Sequence, residues 1–246
     1  TTPSVEVAVK AMRADAGIIL TASHNPPTYN GYKIKANYGG PAIPSEVNKV
    51  EALIANNLVD AGASFESYIS DGLISYGDFE TMYYDHCLRS FDMQALDGIS
   101  SGLVYDAMYG AGQAIVKRLL PKSTILHGDH NPGFEGRAPE PILKNLPEIG
   151  PLIASSPNNL FGLATDGDAD RVGGLMGDGA PLTTHQIICL LLRHYVKNRG
   201  MTGKVVKALT TTSMVDRMCA KLGLELVETG VGFKYIASEI LKGDVL

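Results

Sequence analysis

The 246-residue chain contains no tryptophan and only three cysteines, Cys87, Cys189 and Cys219. The cysteines lie far apart, form no C-x-x-C pair and fall in apolar periodic segments, which argues against a disulfide framework or a zinc ribbon. We therefore predict three buried, reduced thiols and a cytoplasmic location, because thiols are kept reduced in that compartment.

The chain also lacks an excess of basic residues and any long apolar run. It has 21 Lys and Arg against 26 Asp and Glu, a net charge of -5, so no global positive field indicates nucleic-acid binding. No apolar stretch is long enough to span a bilayer, and the first residues read as a helix with polar positions rather than a secretory signal. We predict neither nucleic-acid nor membrane partners.

What the chain does have is an alternation of strand-like and helix-like segments. Its 45% hydrophobic residues suffice to bury a core. The pattern predicts strands at 17–20, 103–106 and 123–127, and further strands within 160–182 and 203–229. It predicts helices at 3–14, 45–57 with Ser45 as N-cap, 76–91, 113–120 and 185–197. A Pro- and Gly-rich stretch at 129–153 predicts a long loop before a short helix. This alternation is typical of the α/β class.

The segment "TDGDADR" brings three carboxylates into one short loop. Asp166, Asp168 and Asp170 alternate along it, and a tight loop that contains glycine lets them converge. Converging carboxylates repel unless a cation lies among them, and hard oxygen ligands select Mg²⁺ or Ca²⁺. An EF-hand is excluded, because Arg171 and Gly177 stand where it needs glycine and glutamate. An acidic surface turn is the alternative, but the apolar flanks place this loop at the end of a buried strand, where α/β proteins bind ligands.

The segment "TASHNPPTYNGYK" follows the first predicted strand with polar residues and a double proline. A hydrolase nucleophile elbow would need G-x-S-x-G, which Ser23 does not have. A polar turn shaped by Asn25 and the prolines is the structural alternative. A serine, a nearby Lys33 and an acidic metal loop together favour phosphoryl transfer over acyl transfer.

At this point the chain resembles the α-D-phosphohexomutase superfamily, the phosphoglucomutase and phosphomannomutase enzymes. "TASHNPPTYNGYKI" is similar to the T-x-S-H-N-P loop that carries the family's phosphoserine, and "TDGDADR" to the D-G-D-x-D-R loop that holds its Mg²⁺. "VVKALTTTSM" and "ETGVGFKYI" are weaker matches to the third domain, so the resemblance covers essentially the whole chain. It implies successive three-layer α/β/α domains with mixed sheets.

The resemblance implies an intramolecular phosphotransferase that interconverts hexose 1-phosphate and hexose 6-phosphate, with glucose, mannose or both as the hexose. A phosphoserine, a hexose 1,6-bisphosphate that is both intermediate and activator, and Mg²⁺ belong to that activity. The implied catalytic residues are Ser23, His24 and Lys33, and the implied metal ligands are Ser23, Asp166, Asp168 and Asp170. The implied substrate contacts are Asn25, Arg171, Lys207, Thr229, Gly230 and Lys234.

Several of these residues have plainer interpretations. His24 and Asn25 could simply shape the loop, and Arg171 could form a salt bridge to a neighbouring aspartate. Lys207 and Lys234 could be ordinary exposed lysines.

The resemblance also predicts domain boundaries. Residues 1–94 correspond to the C-terminal part of domain 1, 95–183 to domain 2, and 184–246 to the N-terminal part of domain 3. The chain would then be a piece of a longer protein, with the sugar-selecting G-E-x-S-G loop and the fourth domain expected after Leu246.

Two other functions stay open from the residues alone, a catalytically silent sugar-phosphate-binding fragment and a metal-dependent phosphatase. The segment "HGDHN", with His127, Asp129 and His130, is a weak candidate for a transition-metal site, and a polar loop is favoured there. "YGAG" after the strand at 103–106 is not a dinucleotide fingerprint, since Ile115 stands where the third glycine is needed.

Overall fold

A computed structural model describes residues 1–55 and 62–246 and arranges them as three α/β units in chain order. The helices of this described part are α1 (Thr2–Met12), α2 (Pro44–Glu51), α3 (Phe65–Ser70), α4 (Phe79–Ser90), α5 (Met93–Ser100), α6 (Gly112–Leu119), α7 (Ile149–Ala154), α8 (Thr184–Arg193), α9 (Ser213–Leu222) and α10 (Phe233–Leu241). Its strands are β1 (Ala16–Leu20), β2 (Tyr32–Ala36), β3 (Leu103–Asp106), β4 (Thr124–Leu126), β5 (Phe161–Thr165), β6 (Val172–Met176), β7 (Pro181–Leu182), β8 (Val205–Ala208) and β9 (Leu226–Thr229). The α/β class with mixed sheets, predicted from the sequence, is confirmed.

The first unit is an antiparallel pair of strands, β1 and β2, covered by α1. The Thr1 side chain accepts a hydrogen bond from the backbone N–H of Ser4, and Pro3 in the first turn is preorganised for a helix. Helix α1 packs very closely on β1, because a Cβ placed on Gly17 would lie 2.5 Å from Val9 Cγ2. The loop that carries Ser23 joins β1 to β2 and so leaves this unit at the end of β1.

The second unit holds a five-stranded sheet in the order β4-β3-β5-β6-β7. Strand β3 pairs in parallel with β4 and β5, whereas β5–β6 and β6–β7 are antiparallel. Fully buried side chains on α7, Ile149 and Ile153, pack with Val104 of β3 and Leu175 of β6 to form the core. The turn between β5 and β6 carries the three aspartates, so the sheet fixes where they lie.

The third unit pairs β8 with β9 in parallel and packs α8 against α9. Its core contains Cys189, Leu192, Val215 and Cys219. Helix α8 begins with a capping box between Thr183 and Gln186 and continues into a π-helical turn over residues 194–198. All three cysteines are buried and free, which confirms the prediction of buried reduced thiols.

Most differences from the predicted elements lie at helix starts. Helix α2 is capped by the extended backbone of Ile43 with Pro44 as its first residue, so Ser45 lies inside the helix and is not its N-cap. Its predicted end at Asn57 lies outside the described residues. Helix α4 begins at Phe79 rather than 76, because the Asp78 side chain accepts from the Thr81 N–H. The first half of the predicted 129–153 loop is irregular as expected, and α7 is its short helix.

In the described part of the chain, no helix combines the length and the apolar character that crossing a bilayer would need.

Candidate active site

The three aspartates converge at the carboxyl end of β5. One carboxylate oxygen from each of Asp166, Asp168 and Asp170 lies within 4.8 Å of the other two, and Asp166 and Asp168 are buried. The backbone N–H groups of Asp170 and Arg171 donate to Asp166 Oδ1 at 3.1 and 3.0 Å, so the turn itself holds that carboxylate. Within the residues that the structure describes, this is the one cluster of His, Cys, Asp or Glu that could hold a metal ion.

The Ser23 hydroxyl meets this cluster from the first unit. Its Oγ donates to Asp166 Oδ2 at 3.1 Å. Ser23 has a left-handed backbone, with φ of 53°, and its N–H donates to Thr21 Oγ1 at 2.8 Å. A non-glycine residue with positive φ is strained, and such strain concentrates at functional sites.

The two loops touch through their backbones. A Cβ placed on Gly167 would lie 2.3 Å from the Ser23 carbonyl oxygen and 3.1 Å from Pro139 Cγ. The Gly167 N–H donates to the Pro139 carbonyl at 3.2 Å, which braces the loop from its other side. Glycine in "TDGD" is therefore required by the close approach of neighbouring chain, and not by a positive φ.

Two cations neutralise the carboxylates. Lys33 Nζ donates to Asp168 Oδ2 at 2.7 Å and to Asp170 Oδ2 at 2.9 Å. Arg171 donates to Asp166 Oδ2 from Nη2 at 2.8 Å and from Nε at 2.9 Å, and Nη2 also reaches Ser23 Oγ at 3.0 Å. Arg171 thus forms the salt bridge that its plainer interpretation predicted, and it also contacts the serine.

Burial and these contacts move the pKa values of the cluster in different directions. Burial is the largest influence on Asp166 and leaves its pKa raised, although hydrogen bonds from Arg171 lower it. Burial also raises the pKa of Asp168, but hydrogen bonds from Lys33 and Thr2 outweigh burial and the net pKa is lowered. For Lys33, burial lowers the pKa, and the hydrogen bonds to Asp168 and Asp170 more than offset it, so the pKa is raised. Lys33 is therefore an ammonium and Asp168 a carboxylate at neutral pH.

Two buried side-chain atoms at this site have no hydrogen-bond partner, His24 Nδ1 and Asp168 Oδ1, and the described part of the chain holds no others. Buried polar atoms are nearly always paired, so two orphans at one site indicate that a ligand completes it. Asn25, in contrast, donates from Nδ2 to the Ala22 carbonyl at 3.0 Å and is exposed. That contact is the loop-shaping role considered for it above.

Lys207 and Thr229, two of the site residues predicted from the third unit, make their hydrogen bonds within that unit. Lys207 Nζ is buried and paired with Asp216 Oδ2 at 2.6 Å and Glu228 Oε2 at 3.0 Å, and these hydrogen bonds raise its pKa. Two carboxylates take its charge, and its contact with substrate stays a prediction. The Thr229 hydroxyl donates to backbone carbonyls within its own unit, those of Lys207 and Gly230. Gly230 is exposed, and the Lys234 side chain lies outside the described part.

A cleft of about 640 Å³ opens beside Ser23. Phe233, at the start of α10, is the third-unit residue in its wall. The lining residues are Pro3, Glu6, Ser23, His24, Lys33, Lys35, Pro41, Ala169, Asp170, Arg171 and Phe233. A second cleft, of about 620 Å³, lies between the second and third units beside Thr183 and Thr210 and holds none of the predicted site residues.

Thr2 was not among the predicted site residues. The Thr2 hydroxyl donates to Asp168 Oδ2 at 2.7 Å, and its N–H donates to the Asp168 carbonyl at 2.9 Å. Helix α1 therefore presents its first residues to the acidic loop. The sequence signal for Thr2 was the "TTP" at the start of the helix. A threonine next to a proline in the first helical turn is normally interpreted only as part of the helix cap.

In the "HGDHN" segment, the His127 ring contacts two carboxylates. His127 Nδ1 lies 2.8 Å from Asp106 Oδ1, and Nε2 lies 3.1 Å from Glu148 Oε2. Both ring nitrogens thus face carboxylates that tie β3 to the segment before α7. Asp129 and His130 are not part of the metal-type cluster found in the described residues.

Three sequence models of successive domains of one family match the chain. They are described as phosphoglucomutase/phosphomannomutase, alpha/beta/alpha domain I over residues 1–59, domain II over 81–179 and domain III over 183–246. The predicted boundaries at 94/95 and 183/184 stay predictions.

Curated relatives and solved structures agree with this family. A Methanopyrus kandleri protein named "Probable phosphoglucosamine mutase" is 30% identical over 243 residues, covering 97% of this chain and 52% of that protein. The phosphoglucosamine mutase of Methanococcus maripaludis strain C7 is 27% identical over 250 residues, covering 98% of this chain and 54% of its own. The crystal structure of a Thermus thermophilus protein assigned as a phosphomannomutase matches with a TM-score of 0.89 at 34% identity, over 100% of this chain and 55% of that one.

The open form of the Paramecium phosphoglucomutase parafusin matches with a TM-score of 0.84 over 99% of this chain and 50% of its own, and at 22% identity this likeness shows the fold alone. Fold and site define an α/β protein of several units in which a serine loop from one unit meets a carboxylate loop from the next. The chain belongs to the α-D-phosphohexomutase superfamily, in its phosphoglucomutase/phosphomannomutase family. It spans about half the length of the curated relatives that it matches.

Proposed function

We propose that this chain carries the phosphoserine and metal loops of a phosphohexomutase, an intramolecular phosphotransferase that interconverts hexose 1-phosphate and hexose 6-phosphate. The observation that carries the proposal is the 3.1 Å contact between Ser23 Oγ and Asp166 Oδ2, which joins two motifs 143 residues apart. A hydroxyl held against a convergent trio of carboxylates suits phosphoryl transfer, where charge neutralisation and positioning supply most of the catalysis.

The aspartate cluster fits a divalent cation. Its donors are hard carboxylate oxygens, and Asp168 Oδ1 is buried without a partner. Asp166, Asp168, Asp170 and a phosphoserine oxygen on Ser23 would hold Mg²⁺. When bound, Mg²⁺ supplies positive charge that stabilises the moving phosphoryl group.

The chain's own residues account for the rest of the transfer. Phosphoserine 23 loses its phosphoryl group from Oγ to a hydroxyl oxygen of the hexose phosphate, which yields the hexose 1,6-bisphosphate and the free serine. The other phosphate of that bisphosphate then returns to Ser23 Oγ, which exchanges the C1 and C6 esters. Arg171, 3.0 Å from Oγ, would hold the phosphate with its planar fork. Lys33, as an ammonium, would supply charge and protonate Oγ when the phosphoryl group leaves, and the resulting Lys33 amine would take the proton that the attacking hexose hydroxyl gives up.

Other site residues have narrower proposed roles. His24, with its unpartnered Nδ1, contacts the phosphate or the substrate, and Asn25 shapes the loop around them. The turn at Thr229 and Gly230, together with Lys234, would contact substrate from the same unit as Phe233. Lys207, from the same unit, is proposed as a further substrate contact.

Glucose, mannose or both are the proposed hexoses. The relatives named above include phosphoglucosamine mutases, so glucosamine phosphates belong in the comparison. Turnover of the three hexose 1-phosphates in parallel, primed with glucose 1,6-bisphosphate, would rank them.

Intact-protein mass spectrometry tests the proposal directly. The chain is incubated with glucose 1,6-bisphosphate and Mg²⁺, with Ser23→Ala as the matched control. We expect the mass to increase by one phosphoryl group in the parent chain and not in Ser23→Ala. An unmodified parent chain, or a Ser23→Ala chain that gains the same mass, would overturn the proposal.

A catalytically silent sugar-phosphate-binding role is the alternative. It predicts binding of hexose phosphate without any phosphoserine. Formation of phosphoserine at Ser23 excludes it, and release of free phosphate without isomerisation would point to a phosphatase instead.

We also propose a cytoplasmic location. Three free, buried thiols support it, since an oxidising compartment favours paired cysteines.

A further inference from the structure

A buried ion pair with no assigned role lines the Ser23 cleft. Lys35 of β2 pairs with Glu6 of α1, and the exposed fractions of the two side chains are 7% and 34%. Both residues lie in the wall of the cleft that contains Ser23, Lys33 and Phe233. Burying a lysine is costly, so its presence in a cavity wall calls for a reason beyond solubility.

Lys35 follows Lys33 by two residues on β2. Residues two apart on a strand point to the same face, about 7 Å apart along it. Lys33 contacts the carboxylates, and Lys35 lies in the wall of the same cleft. The stem of Lys35 is fixed there, because its Cβ lies against Gly17 under the closely packed α1.

The pair keeps hydrogen-bonding capacity to spare. An ammonium has three N–H donors, and Glu6 Oε1 is the one acceptor recorded for Lys35 in the described part of the chain. The pair therefore offers donors and an acceptor side by side. Phe233, with 59% of its surface exposed, adds an aromatic ring to the same cleft.

The charge of the pair decides what it would bind. Glu6 already neutralises the Lys35 ammonium, and its carboxylate would repel a phosphate dianion. Adjacent neutral hydroxyl groups, each both donor and acceptor, match the pair instead. Discrimination through such hydroxyl contacts is strong, because a ligand without the hydroxyls leaves buried polar groups unpaired.

We propose that Glu6 and Lys35 form a subsite for the ring hydroxyl groups of the hexose, which makes Lys35 a specificity-determining residue. This inference rests on the proposed function, because it takes a hexose bisphosphate as the ligand of the cleft.

Calorimetric titration in a Ser23→Ala background tests the subsite, since binding is then read without transfer. The probes are glucose 1,6-bisphosphate and 1,6-hexanediol bisphosphate, both with Mg²⁺ present. The second compound keeps the two phosphates and lacks the ring hydroxyls. Lys35→Met is the test variant, and Lys10→Met, an exposed lysine on α1, is its control.

We expect Lys35→Met to weaken glucose 1,6-bisphosphate by about tenfold and hexanediol bisphosphate by less than about twofold. Lys10→Met should change neither. An equal loss for both ligands would make Lys35 a phosphate or folding residue, and no loss for either would leave it without a role in binding. Either result overturns the subsite.

Glu6→Gln gives a second, independent reading should Lys35→Met fold poorly. It frees the Lys35 charge, so hexanediol bisphosphate should bind more tightly and the preference for the glucose compound should fall. An unchanged preference overturns the subsite. If the Ser23→Ala parent binds neither compound, the proposed function falls and the subsite with it, whereas binding of both with unaltered preference in the variants removes the subsite alone.

Discussion

Lys33 has two opposing effects in the proposed reaction. Its positive charge weakens metal binding, and its ammonium assists phosphoryl transfer. Its ammonium donates to Asp168 and Asp170, the carboxylates that would hold the metal. A divalent ion held by these carboxylates would therefore lie close to the Lys33 ammonium and be repelled by it.

Lys33→Met should bind Mg²⁺ more tightly and yet transfer phosphoryl more slowly. Removing a positive charge within hydrogen-bonding distance of two carboxylates favours a cation by on the order of 1 kcal/mol, or roughly fivefold in affinity. Mg²⁺ affinity is measured by calorimetry, and phosphoserine formation by a mass-spectrometric time course. Lys49→Met, on an exposed lysine paired with Glu46, is the control and should leave both unchanged. Weaker Mg²⁺ binding in Lys33→Met would contradict this account of the site.

Ionisation of Tyr105 makes the free energy of unfolding depend on pH in the alkaline range. Burial, offset in part by its hydrogen bond with Thr165, raises the pKa of Tyr105 to about 12. The unfolded chain loses the tyrosine proton near pH 10 and the folded chain only near 12, so stability present below pH 10 is lost between these values.

Tyr105→Phe should remove that dependence. Between pH 9 and 11 the parent chain should lose about 1 kcal/mol more unfolding free energy than Tyr105→Phe, as measured by urea unfolding at each pH. Tyr105→Phe should itself be less stable by about 1 kcal/mol at pH 8, because its hydrogen bond with Thr165 is gone. Parallel losses in both proteins would show that Tyr105 does not titrate as its burial requires.

The residue types predicted the cluster of three aspartates correctly, but they did not identify the neighbouring residues of the cleft. A tight glycine-containing loop with alternating carboxylates predicts that Asp166, Asp168 and Asp170 converge around a cation, and this information is local to seven residues. Thr2 and Lys35 could not be found in the same way. Their positions depend on how α1 sits over β1, and no short motif carries that geometry.

At the scale of elements, close packing of α1 on β1 sets the position of the Ser23 loop. Gly17→Ala should destabilise the chain by about 1–3 kcal/mol, because the added methyl group would meet Val9 Cγ2 at 2.5 Å in a packed interface. Gly98→Ala is the control. Its added Cβ has no heavy atom within 4 Å, and in exposed α5 it should stabilise by up to about 1 kcal/mol. Thermal and urea unfolding of both variants measure the difference, and equal stability of the two would refute the packing argument.

Strand and helix types were predicted more reliably than their ends. Strand β3 occupies the predicted residues, and all four of its positions are buried. The start of α2 was wrong because Pro44 preorganises the first turn without a capping side chain, so the polar Ser45 misled the prediction. Strand β2 carries two lysines among five residues and reads as polar, although it completes the sheet of the first unit.

At the scale of the whole molecule, the site exists only where two units meet. The serine comes from the first unit, the carboxylates from the second, and Gly167 is the point at which their loops touch. The resemblance to a known family predicted that Ser23 and the three aspartates share one metal site, but not the close approach of Gly167 to the Ser23 backbone.

Gly167→Ala should push the loops apart. The added methyl group would lie 2.3 Å from the Ser23 carbonyl oxygen, and small displacements at a reacting centre cost about 100-fold in rate. Phosphoserine formation should fall to that extent, and the melting temperature should fall as well, because the added methyl group would meet neighbouring chain on both sides of the loop. Gly133→Ala is the control, since its Cβ would meet only Asn131 Oδ1, at 3.5 Å, and should react normally. Normal reaction of Gly167→Ala would show that the two loops do not need this contact.

Because Gly167 has no side chain, the serine loop and the aspartate loop can lie in direct contact, and each constrains the conformation of the other. A larger residue there could persist only alongside a compensating shift of the serine turn, so family members should exchange these segments as a pair. Grafting either segment alone onto another scaffold would transfer its residues but would not create the phosphoryl-transfer site.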